Sequence, residues 1–139
     1  MALEITRLQE AHLPEAASLA AGRYCALRQQ VPDLPSRYED VGVLLPMLRD
    51  LCGQAPGVAA LQSGRLVGYL AGWPLDDFRG QPTILSPEWG NGAEPGHSRR
   101  IYEEMYCRAS AEWVAAGHST HLICQLPHDR AALDTWFWL

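Results

Sequence analysis

The chain has 139 residues, 47% of them hydrophobic and 19% charged, with a net charge of −5 at pH 7 and a pI near 5.4. That length supports one domain with a core of its own. The acidic balance excludes the basic footprint on which nucleic-acid binding depends.

Residues 3–8 alternate apolar and polar, which predicts a half-buried strand. Pro14 and Glu15 then suit the first turn of a helix, whose face carries Ala16, Leu19, Ala20, Tyr24 and Leu27. The proline-containing stretch 31–35 ends it. A second helix is predicted over 38–51 on the stripe Val41, Leu44, Leu45, Leu48 and Leu51, kinked or split at Pro46 and closed by Gly53. Residues 57–62 and 65–73 flank Ser63-Gly64 and predict a β-hairpin. Within its longer strand, Gly68 and Gly72 mark a bulge or a close backbone approach. Residues 83–86 predict a short strand, and 87–96, with three glycines and two prolines, a loop. A helix over 99–116 follows, capped by Ser98, striped by Ile101, Met105, Ala109 and Trp113, and closed by Gly117. The apolar run 121–126 predicts a strand covered on both faces. A last helix starts near Asp129. The order β-α-α-β-β-β-α-β-α implies an α/β domain: a mixed sheet with helices on both faces.

Cys25, Cys52, Cys107 and Cys124 form no CxxC pair, and each lies in an apolar periodic segment, as a small buried hydrophobe does. His118 and His121 are three apart at the start of a strand and point to opposite faces, so no metal set is expected. No apolar run reaches membrane length, and the N-terminus has no signal core. A cytoplasmic location without membrane attachment is the expectation.

The end of the chain, Asp129-Arg130-Ala131-Ala132-Leu133-Asp134-Thr135-Trp136, resembles the Asn-x-x-Ala-x-x-Leu-Tyr spacing of the GNAT acetyltransferase superfamily. The phrase SGRLVGYLAG and the helix ending WVAAG are similar to the same family, so the resemblance spans the whole chain, 1–139, as a single domain. It implies a GNAT-like fold lacking the last two strands, and so a domain incomplete at its C-terminus. It also implies acetyl-CoA as cofactor and acetyl transfer to the amino group of a small molecule or peptide. The alternative is a non-catalytic GNAT-like module, half of a tandem protein, completed by a missing C-terminal domain or a homodimer.

The family holds pyrophosphate on amides at the start of the third helix and pantetheine between the fourth and fifth strands. The resemblance therefore places the cofactor at Leu85 and Ser86, at Arg99 and Arg100, and at Asp129. Neither register of the turn supplies its glycines. Counted from the strand, Pro95 removes an amide and Glu94 adds a negative charge; counted back from Gly117, the turn falls at 97–100. Trp136 stands where the family has a proton-donating tyrosine, and an indole cannot supply that proton. For the base that deprotonates the amine, the candidates are Glu39, Asp40, Asp76 and Asp77, with Asp76 and Asp77 favoured at a strand end.

Overall fold

The computed structural model describes residues 2–139. In chain order the elements are β1 (Glu4–Arg7), α1 (Leu13–Gln30), α2 (Val41–Cys52), β2 (Val58–Gln62), β3 (Arg65–Leu70), β4 (Trp73–Phe78), β5 (Gln81–Ser86), β6 (Asn91–Ala93), α3 (Ser98–Ala115), β7 (Thr120–Ile123) and α4 (Arg130–Trp138). Short 3-10 turns precede α1 and α2.

The strands form two sheets, β1-β2-β3-β6 and β4-β5-β7, antiparallel throughout except for the parallel pair β5-β7. The single mixed sheet expected from the sequence is thus divided. One bent hairpin links the two parts: its first arm runs through β3 and β4, its second through β5 and β6. Leu70 lies opposite Asn91 and Trp73 opposite Leu85, so two residues on one arm face five on the other. The excess folds into a turn at 87–90, where Gly90 N–H donates to Pro87 O at 2.8 Å and Ala71 N–H to Gly90 O at 2.9 Å. Gly72 sits at the bend of the first arm, where a Cβ would lie 2.8 Å from Leu85 O. This is a bulge that redirects a strand.

Apolar residues on alternate sides of the strands build one core on each face. Ala59, Leu66 and Tyr69 pack with Leu13, Ala16, Ala17, Leu44 and Leu48 of α1 and α2. On the other face, Val58, Ala60 and Leu70 pack with Ile101, Met105, Ala109 and Trp113 of α3 and with Ala132 of α4. The α3 stripe expected from the sequence is 0–1% exposed at all four positions. Gly68 faces α3, and a Cβ there would run into Ile101 Cγ2; this close approach is what the glycine permits.

Several boundaries differ from the sequence expectation. Pro46 does not split α2: the proline is exposed, within a continuous helix, and the break falls earlier at Asp40. Asp40 caps α2 by accepting from Gly42 N–H at 2.8 Å. Ser98 is the first residue of α3 rather than its cap, and no side chain caps that helix. The stretch 87–96 contains β6, and β4 was not anticipated at all. β7 is an edge strand, paired only with β5, and its residues are half-buried rather than covered on both faces. Cys107 is exposed, whereas the other three cysteines are half-buried.

Candidate functional site

β5 and β7 run side by side as far as Ser86 and Ile123, with a last rung from Cys124 N–H to Ser86 O at 2.9 Å. Beyond that rung they part. The bulge carries one chain across to β3 as β6, and the other continues through Gln125 and Leu126 to α4. Gly90 O and Glu94 N–H bond towards β3, so Asn91 turns its main-chain carbonyl to the parting.

A buried polar network fills the fork. The Asn91 side chain, fully buried, donates to Ser86 Oγ (3.1 Å), Pro87 O (3.1 Å) and Cys124 O (3.0 Å), tying the two chains together just past their last rung. Its Oδ1 accepts from Tyr102 OH at 3.0 Å and from Gln125 Nε2. Arg23 reaches in from α1. Its Nη1 donates to Asn91 O at 2.9 Å, and its Nη2 to Gln125 Oε1 and Asp129 Oδ2, both at 3.2 Å. Gly92 makes room: a Cβ there would lie 2.9 Å from the Tyr69 ring and 3.3 Å from Arg23 Nη1. Arg23 is 6% exposed, and its Nε has no partner. Burial pushes the Tyr102 hydroxyl up to about 12 and the Tyr69 hydroxyl higher still, against the opposing pull of the Arg23 charge.

Two cavities adjoin the fork, one on either side of α1. The larger, about 510 Å³, lies between Tyr24 and Leu27 of α1, the loop carrying Leu34 and Tyr38, and Trp89 and Leu126. Glu88 and Gln125 also line it. The other, about 480 Å³, is lined by Arg23, Pro95, His128, Asp129 and Arg130. There His128 Nδ1 is buried without a partner, and burial lowers the imidazole pKa, opposed by Asp129.

Of the residues singled out in the sequence, Ser86 and Asp129 belong to the fork. Asp129 accepts from Arg23 and also caps α4 through Ala132 N–H at 3.0 Å. Leu85 is half-buried next to Ser86. Arg99 and Arg100 are not brought in: exposed on α3, they pair with Glu103 and Glu104 at 2.9 Å. Glu94 is drawn to Arg65 at 2.8 Å. Asp76 and Asp77 lie near the far tip of the β4-β5 hairpin, where Asp77 accepts from Gly80 N–H. Glu39 pairs with Arg28 at 2.7 Å, and Asp40 caps α2. Trp136 packs its ring on Tyr102 and Tyr106, 5.1 and 5.3 Å between centroids. His121 bonds to Tyr106 OH and His118 O, both at 2.8 Å.

The sequence reading missed Arg23, Asn91 and Gln125. For Arg23 a signal existed: it is three residues after Ala20 and four before Leu27, inside the apolar face of α1. An arginine there has to find buried partners.

No protein-family model matches the chain, and no curated protein matches it significantly in sequence. Solved structures do match. A ribosomal-protein-alanine N-acetyltransferase from Brucella melitensis biovar Abortus 2308 aligns over 100% of this chain and 91% of its own, at TM-score 0.73 and 15% identity. A GCN5-related N-acetyltransferase from Ralstonia eutropha JMP134 aligns over 99% and 93%, at 0.66 and 15%. An aminoglycoside N-acetyltransferase in complex with CoA aligns over 99% and 86%, at 0.69 and 13%. The chain has the GNAT fold.

Proposed function

We propose that the chain is an N-acyltransferase domain that takes an acyl-CoA as donor and an amine as acceptor. The observation that carries this is the parting of β5 and β7 between two cavities, one with arginine and histidine side chains in its lining and one whose lining holds no cationic group. The neighbours in fold support it, one of them solved with CoA.

The residues present fit a CoA at its phosphate end. Arg130 is exposed with no ion-pair partner among the described residues, and α3 begins beside Pro95 without a side-chain cap. His128 Nδ1 is unpartnered at the same cavity. Bound there, an acyl-CoA supplies the acyl group as an activated thioester. In the chain itself, Asn91 O is the carbonyl that the fork offers to an amide, and Arg23 now holds it. Glu88, on the bulge, is the carboxylate that the apolar cavity presents, placed to take a proton from an incoming ammonium directly or through water. Trp136 takes no part in proton transfer, being stacked on α3.

Acetyl-CoA titrated into the folded protein in a calorimeter tests the reading. Binding is expected, and it should tighten in Arg23→Met, which frees Asn91 O. No heat from either protein, both shown folded by circular dichroism, would overturn it.

One observation favours a second reading, a non-catalytic module: the fork is filled by the protein's own side chains. In that reading the exposed Phe137 and Trp138, 85% and 79% accessible, are covered by a second copy. A monomer in light scattering at high concentration would contradict it.

A further inference from the structure

The apolar cavity assigns a ligand class. We infer that it takes a primary amine bearing one bulky apolar group, an arylalkyl- or alkylamine, with Glu88 holding the ammonium. As an acceptor assignment this rests on the acyltransferase reading above.

The cavity, at about 510 Å³, lies in the range of small-molecule sites, with room for one substituted ring or a short alkyl chain. Its walls are Leu27, Val31, Leu34 and Leu44 with the faces of Tyr24, Tyr38 and Trp89. The tyrosine hydroxyls are already engaged, Tyr24 donating to Pro35 O at 2.9 Å and Tyr38 accepting from Arg37 at 2.8 Å. Their rings contribute apolar surface to the wall. The rings meet edge to face at 5.4 Å.

The cavity is also built in advance. Arg28 bonds Leu34 O at 2.8 Å and pairs with Glu39 at 2.7 Å, fixing the loop that closes one side. Tyr69 OH donates to Trp89 O at 2.7 Å and fixes the opposite side. A ligand therefore has little ordering to impose.

Only Glu88 among the lining residues carries a formal charge, and it has no ion-pair partner among the described residues. One carboxylate matches one ammonium. A polycation would bring several charges against apolar walls with no counter-charge, at a desolvation cost nothing returns. The aromatic faces instead favour an apolar body and, beside it, a cation.

The test is calorimetric, without cofactor. The probes are 2-phenylethylamine, its uncharged analogue 2-phenylethanol, and the polycation neamine. Phenylethylamine should bind at least about 10-fold more tightly than either, and Glu88→Gln should bring it down to the alcohol. Leu34→Asp, on the loop and outside both cores, should weaken the amine and the alcohol alike. Tighter binding of neamine, or no change in Glu88→Gln, would overturn the assignment. The cofactor arm is separate. Phenylethylamine binding without any acetyl-CoA heat leaves the ligand class standing and removes the acyltransferase reading. Acetyl-CoA binding with acyl transfer to neamine and not to phenylethylamine does the reverse.

Discussion

Arg23 is the residue on which the site turns. It is buried and charged, and it meets an acceptor from each of three separate segments, at Asn91, Gln125 and Asp129. Replacing it by Met leaves the Asp129 carboxylate half-buried and Asn91 O without a donor. Urea unfolding of Arg23→Met should show a loss of about 3–5 kcal/mol, the range for breaking a buried, hydrogen-bonded ion pair from one side. The two buried tyrosines make a pH prediction. An unfolded tyrosine releases its proton near pH 10, whereas Tyr102 keeps it until about 12 and Tyr69 beyond that. Stability from these groups is fully present below pH 10 and is lost as pH rises above it. Tyrosinate absorbance should therefore find Tyr69 and Tyr102 still protonated at pH 11 and ionising only when the protein unfolds.

Among the elements, those with a strong period were legible. The α3 stripe and the α1 face follow from apolar spacing alone. Ser63 and Gly64 adopt φ of 52° and 77°, as the tight turn between β2 and β3 requires. β4 was hidden because WPLDDF holds a proline and two aspartates, which discourage a strand. It forms at the edge of its sheet, where a missing N–H at Pro74 is tolerated. β6 was hidden because Asn-Gly-Ala has no strand propensity; β3 on one side and Arg23 on the other hold it extended. Two substitutions test the elements. Gly68→Ala should cost about 1–3 kcal/mol, since the new methyl meets Ile101 and Met105 of the packed helix. Asp40→Ala should cost about 1 kcal/mol through the lost cap of α2. Thermal melts of both read the difference.

On the scale of the whole molecule, the order of helices and strands foretold two packed faces, and the family resemblance implied a cofactor between the strands that are β5 and β7 here. The contents of the fork were not legible. They come from α1, the bulge, α3, the end of β7 and the cap of α4, segments up to 106 residues apart in sequence. No local pattern announces such a meeting; only Ser86 and Asp129 were reached, through the family spacing. A further prediction belongs at this scale. Hydrogen exchange should find the amides of β5 and β7 protected up to Cys124, with protection falling beyond it in Arg23→Met.

The clasp of Arg23 across the fork also sets how any guest of the fork is weighed. A ligand that needs Asn91 O meets only the fraction of molecules in which the guanidinium has swung away. Its apparent dissociation constant is the intrinsic one divided by that fraction. If release costs about 2.8 kcal/mol, roughly one molecule in a hundred is receptive, and affinity measured on the wild type understates the open site about 100-fold. The domain would then respond to whatever draws Arg23 away as strongly as to the ligand itself.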